Sequence, residues 1–497
     1  MKIVKVIVVV FWAVMMTLLF HFEVFPGLFG HKQLSYLELI PQDLMLEDNW
    51  MGVYFQGVKI GYMHTYVSVP PGKQISQFLI RNNTFLQVPI LGRSEQIYFN
   101  TEALIDAGHR LKNFWVDLNS ARYSTKLTGQ LLEEEDWLLV VESAGKKRST
   151  RLSLPKDSVL YSPLAPLPTG KLSSGRKFTV KMFDPISMSA EEVFIEPLGK
   201  ETLHVMKKDF RATKLKIDYK GIETFAWVNE EGELLKEETP LGWLILKEDA
   251  EEILDFMREK PTVMIDLIAS TSVRSNVEIE NARESRFLKA DLKGYVLDKK
   301  NLESSRQNII AADDDKITLS VDALGPPDKA LSLPIEKDEL REFLAPSIFI
   351  QSDDQEIIKT AKNIVGNTKD SWQAAVLLNR WVYKHVKKVP AMSIPSSLEV
   401  LHHMQGDCNE HAFLYTALAR SLSIPTKIAY GLLYQQGGFY YHAWPQVYVG
   451  SWVDMDPTLG QDVACATHIK LLEGEIKDQL ALVKVIGKLE IKIKEYR

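Results

Sequence analysis

The chain has 497 residues, 45% of them hydrophobic and 25% charged, with a formal net charge of −6. That length exceeds what one hydrophobic core can serve, so about three domains are expected, and the composition is that of a folded chain with little low-complexity sequence. No basic domain stands out, which excludes the electrostatic footprint of a nucleic-acid binder, and short pairs such as Lys387-Lys388 read as solvated surface.

The first predicted element is amino-terminal. Lys2 and Lys5 precede a nearly unbroken apolar run from Val6 to Phe20, the pattern of an export signal or a membrane anchor. The residues that follow, His21-Phe22-Glu23-Val24-Phe25-Pro26, lack the small side chains of a cleavage site, and no cysteine marks a lipidation site. Residues 1–24 are therefore expected to be an uncleaved single-pass anchor. The lysines before it place the amino terminus inside and the bulk of the chain outside the cytoplasmic membrane, in the periplasm or at the cell surface.

Residues 45–258 alternate in short runs punctuated by turns. Val53 to Ile60 turns around Gln56-Gly57, Tyr62 to Val69 ends at Pro70-Pro71-Gly72, and Glu223 to Val228 passes through Glu230-Glu231-Gly232 into Glu233 to Glu237. Such spacing predicts an antiparallel β-rich meander, either a curved sheet or an open barrel. Lys260-Pro261 marks a boundary. A small β module or linker then spans 262–335, with alternating runs at Arg286 to Val296 and Lys316 to Val321.

Residues 350–497 change character. Ser352-Asp353-Asp354-Gln355 opens a helix that Gly366 ends, a second helix follows Asp370 and stops before Pro390, and Ser396-Ser397 opens a third that Gly406 closes. A fourth begins at Asp407 or Cys408 and runs to Leu422. Cys408 sits in its first turn, where free backbone N–H groups and the helix dipole favour a thiolate and can stabilise an oxyanion. A three-strand meander follows: Lys427 to Tyr434, Phe439 to Val449 and Trp452 to Asp456. If the last loop takes Val449 to Ser451, Tyr448 faces Trp452, and His442, Trp444, Asp454 and Asp456 share one face. His442 then lies diagonally from Asp456, roughly 7 Å away at Cβ. The rival Asp454 falls opposite Gln446, roughly 13 Å along the strand, so Asp456 is the expected partner of His442.

At these residues the chain resembles the transglutaminase-like superfamily, whose motifs read Gly-Asp-Cys-x-Glu, His-Ala-Trp and Trp-x-x-x-Asp-Pro-Thr. Here they stand as Gly406-Asp407-Cys408-Asn409-Glu410, His442-Ala443-Trp444 and Trp452-Val453-Asp454-Met455-Asp456-Pro457-Thr458. The resemblance implies a papain-like α+β core with Cys408 as nucleophile, His442 as general base and acid, and Asp456 orienting the histidine. It also implies thiol-dependent acyl transfer on amide or peptide bonds of a protein or peptide substrate, with water or an amine as acceptor. The family commonly has an acid two positions after the tryptophan, where this chain has Gln446, a departure read as touching substrate contacts. A softer resemblance links the β-rich region to that of bacterial exported members.

The expected fold class is thus multi-domain: an N-terminal membrane anchor, an antiparallel β-rich middle region and a C-terminal α+β papain-like transglutaminase core. Cys408 and Cys465 could instead form a disulfide, but Cys465, in Val463-Ala464-Cys465-Ala466, reads as small apolar filler. Trp444 reads as a core aromatic and His411 as helix surface or a supporting contact. No second pair of residues completes a metal site around Cys408 and His411, so neither metal nor cofactor is expected. The alternative from another class is a non-catalytic cell-envelope binding or scaffold module with the same fold.

Overall fold

The structure is a computed structural model describing residues 32–34, 48–69, 77–90, 93–106, 108, 110–120, 122–160, 177–259, 270–391, 393–394 and 396–497. The segment read as an anchor, residues 1–24, and the Lys260-Pro261 boundary lie outside them. Among the described residues, no helix is long and apolar enough to cross a membrane.

Alternation of buried and exposed residues builds one 16-stranded sheet from the β-rich region. Two antiparallel meanders, Asp48–Phe55 through Lys146–Ser153 and Phe178–Asp184 through Trp243–Lys247, join where Trp243 pairs with Phe55 and Lys247 with Met51. The expected meander is present, but its strands are not short. Ser189–Val205 runs for 17 residues and Gln77–Ile90 for 14, because a bulge between Pro197 and Gly199 lets the chain bend without leaving the ladder. The turn expected at Gln56-Gly57 is present. Both residues have positive φ, 49° and 79°, the conformation of a two-residue hairpin loop, so Asp48–Phe55 and Val58–Ser68 are separate strands.

The stretch at 262–335 is not closed within those bounds. Its sheet runs Gln307–Ala312, Lys316–Asp322, Phe287–Lys293 and then Glu490–Tyr496, the last from the carboxyl end. Val273–Arg274 instead pairs with Phe439 and Gly438 at the edge of another sheet.

The final third carries helices α1 (Gln355–Val365), α2 (Ser371–His385), α3 (Ser397–His403) and α4 (Cys408–Ser421). Asp354 and Asp370 cap α1 and α2 by accepting from the Glu356 and Gln373 N–H groups. Strands β1 (Thr426–Gln435), β2 (Gly438–Tyr448), β3 (Trp452–Asp454) and β4 (His468–Gly474) form an antiparallel sheet in the order β4-β1-β2-β3. Helix α4 packs on β1 and β2 and is buried along nearly its whole length, from Glu410 to Arg420. Each large apolar side chain it buries, Phe413 and Leu414 among them, contributes about 2 kcal/mol.

The large sheet docks on α1 and α3 through polar contacts. Buried Glu399 accepts from the Ser124 N–H and the Ser143 hydroxyl, both at 2.9 Å, while Lys146 meets Asp354 at 2.8 Å and Glu356 at 2.7 Å.

Candidate active site

Gly406, Asp407 and Glu410 set the start of α4. Asp407 and Glu410 form a reciprocal capping box, Glu410 accepting from the Asp407 N–H at 2.8 Å. Gly406 has φ 154°, and a Cβ there would lie 2.3 Å from the Glu410 Cβ, so only glycine lets the glutamate fold back onto the chain. The other Glu410 oxygen accepts from the Ser393 hydroxyl at 2.6 Å. The spacing of Gly-Asp-Cys-x-Glu is therefore mechanical: it fixes the helix terminus that presents Cys408.

The three residues expected to act together are brought together. Cys408 and His442 line one cleft of about 770 Å³, with Lys388, Asn409, Tyr441 and Leu459 among its walls. The β2–β3 register pairs Gln446 with Asp454 and Tyr448 with Trp452, as the three-residue loop requires, and His442 Nε2 meets Asp456 Oδ2 at 2.9 Å. The chain turns sharply at Asp456-Pro457-Thr458, so Oδ1 accepts from the Thr458 and Leu459 N–H groups at 2.7 and 3.0 Å. Asp456 is wholly buried. Burial favours its neutral form, but the His442 charge and hydrogen bond, with His468 adding to them, hold its carboxyl well below the usual carboxylate range.

Cys408 pulls the other way. Burial raises its thiol well above the usual value and the Asp407 carboxylate adds to this, while the Ala443 N–H favours the thiolate. The Cys408 thiol is thus protonated at rest.

Asp454 lies further along the same face, beyond Trp444. It accepts from Trp444 Nε1 and Gln446 Nε2, both at 2.7 Å, and lies 3.4 Å from Arg306. Trp444 is fully buried, a core aromatic rather than a wall of the cleft. Gln446 is buried as well, so the departure from the family pattern touches Asp454 and not a substrate: an acid there would confront a buried carboxylate, whereas the amide donates to it. His411 is not on the helix surface. It is fully buried, and its ring nitrogens face the carbonyls of Asp407 at 2.6 Å and Val386 at 3.2 Å.

Three residues of the surroundings escape a reading of the sequence. His468 Nε2 also meets Asp456 Oδ2, at 3.0 Å, and its Nδ1 lies 3.3 Å from Cys465 Sγ. Arg306, from the small β sheet, donates to the Cys465 carbonyl at 2.6 Å. Nothing local in Cys465-Ala466-Thr467-His468 announces this, because the contact depends on β4 pairing with β1 across the sheet. Both cysteines are free, and Cys465 is a polar partner rather than apolar filler. His442, Asp456 and His468 bring three possible metal-ligand atoms within 4.8 Å of one another, but both imidazoles hydrogen-bond a single carboxylate oxygen whose mate is taken by backbone N–H groups.

Next to the cleft lies an apolar pocket of about 350 Å³, shared between Ile97 and Leu118 of the large sheet and Ile394, Tyr441, Leu480 and Val483 of the final third. Asn409, Tyr441, Gln479 and Leu482 border both spaces.

A helix-borne cysteine and a strand-borne histidine thus share one cleft, and a buried aspartate holds the histidine. Residues 358–457 match the sequence model of the Transglutaminase-like superfamily, and this part of the chain belongs to it. The fold is thus of a kind that supports thiol-dependent catalysis. An uncharacterized protein of Mycobacterium leprae (strain TN) is 27% identical over 131 residues, 24% of this chain and 46% of that one; the chain spans about half the length of this curated relative. Among solved structures, a provisionally named cysteine protease from Cytophaga hutchinsonii gives a TM-score of 0.32 at 18% identity, covering 43% of this chain and 86% of the other. A DUF1089 family protein from Pseudomonas aeruginosa gives 0.22 at 11% identity, over 34% and 87% of the two chains. A provisionally named protease from Parabacteroides distasonis ATCC 8503 gives 0.19 at 9% identity, over 76% and 68%. None of these three likenesses is close enough to carry an argument.

Proposed function

We propose that the chain is a thiol-dependent acyltransferase acting on amide or peptide carbonyls through Cys408, His442 and Asp456. The observation that carries this reading is the 2.9 Å contact between His442 Nε2 and the buried, ionised Asp456. It commits Nε2–H to the carboxylate and leaves Nδ1 as the basic nitrogen, on a ring that lines the same cleft as Cys408.

Cys408 Sγ attacks the carbonyl carbon as its proton passes to Nδ1. The resulting oxyanion is stabilised by N–H groups at the start of α4. Collapse breaks the C–N bond, and the leaving amine takes the proton from His442, leaving a thioester on Cys408. Water or an amine then attacks the thioester, giving its proton to Nδ1, and the thiol is restored as acid or new amide departs. Because the Cys408 thiol is protonated at rest, proton transfer accompanies attack instead of preceding it. Water is the favoured acceptor for a cleft open to solvent, with amine transfer as the close alternative.

In this reading residues 1–24 anchor the chain as a single pass, and the catalytic part, residues 350–497, works outside the cytoplasmic membrane on a protein or peptide. The β-rich domain, residues 45–258, borders the substrate path through Ile97 and Leu118, and the stretch at 262–335 buttresses the site through Arg306. The test is labelling by a thiol-directed activity probe. The wild type and Cys465→Ala should be labelled and Cys408→Ala should not; equal labelling of all three would replace the enzyme with a binding module. Trapping the thioester from a cell-envelope extract would identify the acyl group.

A further inference from the structure

Asp456 carries two imidazoles on one oxygen. His442 and His468 each place Nε2 within 3.0 Å of Oδ2, at 2.9 and 3.0 Å, and their ring centroids lie 5.7 Å apart. The two are otherwise unlike: His442 borders the cleft, whereas His468 is fully buried. Behind His468, Nδ1 meets Cys465 Sγ at 3.3 Å and the Cys465 carbonyl at 3.2 Å, and Cys465 Sγ is 3.1 Å from the Thr467 hydroxyl. The result is a second cysteine–histidine pair joined to the same carboxylate, closed off from substrate.

We propose that His468 is a positioning residue for the reaction at Cys408: by sharing Oδ2 of Asp456 with His442, it fixes the carboxylate and sets how firmly that carboxylate holds the His442 proton, with Cys465 as its counter-group. This rests on the reading of Cys408 and His442 given above.

The geometry requires such an effect. An aspartate with two backbone N–H donors on Oδ1 and two imidazole donors on Oδ2 has its acceptor positions filled, so it cannot rotate away from His442 without orphaning another buried donor. A proton held on both nitrogens of His468 would place a positive charge roughly 6 Å from the His442 ring, weakening the pull of Asp456 on the His442 proton and making His442 a weaker base toward Cys408. Burial opposes that charge, but Cys465 and Asp456 outweigh it and raise the imidazole to about 9. Cys465 is lowered to about 6 by the same pairing, against the opposing effect of burial. The other charges facing the cluster are Lys388 and His411, which act on Asp456 from the helical side, Asp407 and Glu410, which act on Cys408, and the Arg306–Asp454 pair behind Cys465. None of them contacts His468, which leaves His468 the direct modulator of the shared oxygen.

The experiment measures the rate of Cys408 alkylation by iodoacetamide against pH, read by mass spectrometry on the full chain. Wild type, His442→Ala and His468→Gln are compared; glutamine keeps a donor for Asp456 and removes the charge. His468→Gln should lower the midpoint of the Cys408 profile by about one pH unit, because His442 becomes the stronger base once a unit charge roughly 6 Å from its ring, partly offset by Cys465, is removed. A midpoint within about 0.2 unit of wild type, with His442→Ala still shifting the profile, overturns this proposal and leaves the Cys408–His442 reading standing. If His442→Ala also leaves the profile unchanged, the underlying reading falls instead, and the proposal with it. Should His468→Gln fail to fold, nitrogen-15 NMR of the wild type decides: a doubly protonated His468 at pH 7.5 supports the proposal, and a neutral ring overturns it.

Discussion

Two cysteine–histidine pairs meet on Asp456, and only one of them faces a cleft. Cys408 and His442 border about 770 Å³ of space; Cys465 and His468 are enclosed by β4, Arg306 and Trp444. The enclosed thiol is the more acidic of the two, lowered to about 6, whereas the thiol facing the cleft is raised. Acidity therefore does not identify the nucleophile here. In the proposed reaction, a thiolate paired with an imidazolium in the interior has no access to a substrate, while a neutral thiol at a helix start that shares its cleft with a basic nitrogen has a route for its proton.

The most severe way to break the comparison is to remove what the pairs share. Asp456→Ala is expected to lower turnover of a trapped amide substrate by about 10³- to 10⁴-fold, and to destabilise the fold by about 3 kcal/mol because two buried imidazoles lose their acceptor. Denaturant melts and kinetics on one preparation would check both, and near-normal turnover would remove Asp456 from the mechanism. Asp454→Ala should reverse that pattern. Stability should fall by about 3 kcal/mol, since Arg306 and Trp444 lose a buried partner, while the pH profile of Cys408 alkylation keeps its midpoint. A shift as large as that of Asp456→Ala would make Asp454 the rival it resembles in sequence.

The enclosed pair also predicts a pH dependence of stability. His468 is raised to about 9, so its contribution is complete below the unfolded value of about 6.5 and fades as pH rises through 9. Cys465 is lowered to about 6, so its contribution is complete above the unfolded value of about 8.5 and fades as pH falls through 6. The pair is intact only between these limits. The melting-temperature difference between wild type and Cys465→Ala should be widest from about pH 6 to 9, at about 2–4 °C, and shrink on either side. A difference that does not change with pH would mean that Cys465 contributes packing alone. The smallest effect expected is that of Asp370→Ala, about 1 kcal/mol from the lost cap of α2, with both pairs unaffected in the alkylation assay.

Much of the cleft side was legible because its signals are local. Asp354, Asp370 and Asp407 announce helix starts by short polar side chains before apolar periodicity, and the structure places caps at each. Strand alternation with one loop length fixes the register that carries His442 toward Asp456 rather than Asp454. The hidden side was not legible. His411 reads as helix surface or a supporting contact; α4 is covered there, so the surface alternative falls and two carbonyls take its ring. Gln446 reads as a substrate contact because the pattern of the family draws the eye to it, but it is buried and donates to Asp454, which in turn lies against Arg306. The short strands expected of the β-rich region are long ones, since bulges and two-residue turns leave only weak interruptions in sequence.

By itself the sequence determined the four helices and first three strands of the final third, the order of cysteine, histidine and aspartate along them, and the register that lets the last two meet. Each depends on neighbours within a few residues, where backbone geometry and side-chain period leave few choices. Only the tertiary structure decided that Asp456 serves two histidines, that Cys465 pairs with one of them, and that the small β sheet closes with the carboxyl-terminal strand and lends Arg306. The last of these contacts join segments more than a hundred residues apart, and even the three-residue step from Cys465 to His468 matters only once the sheet carries His468 to Asp456, so they follow from what burial forces polar groups to find as partners.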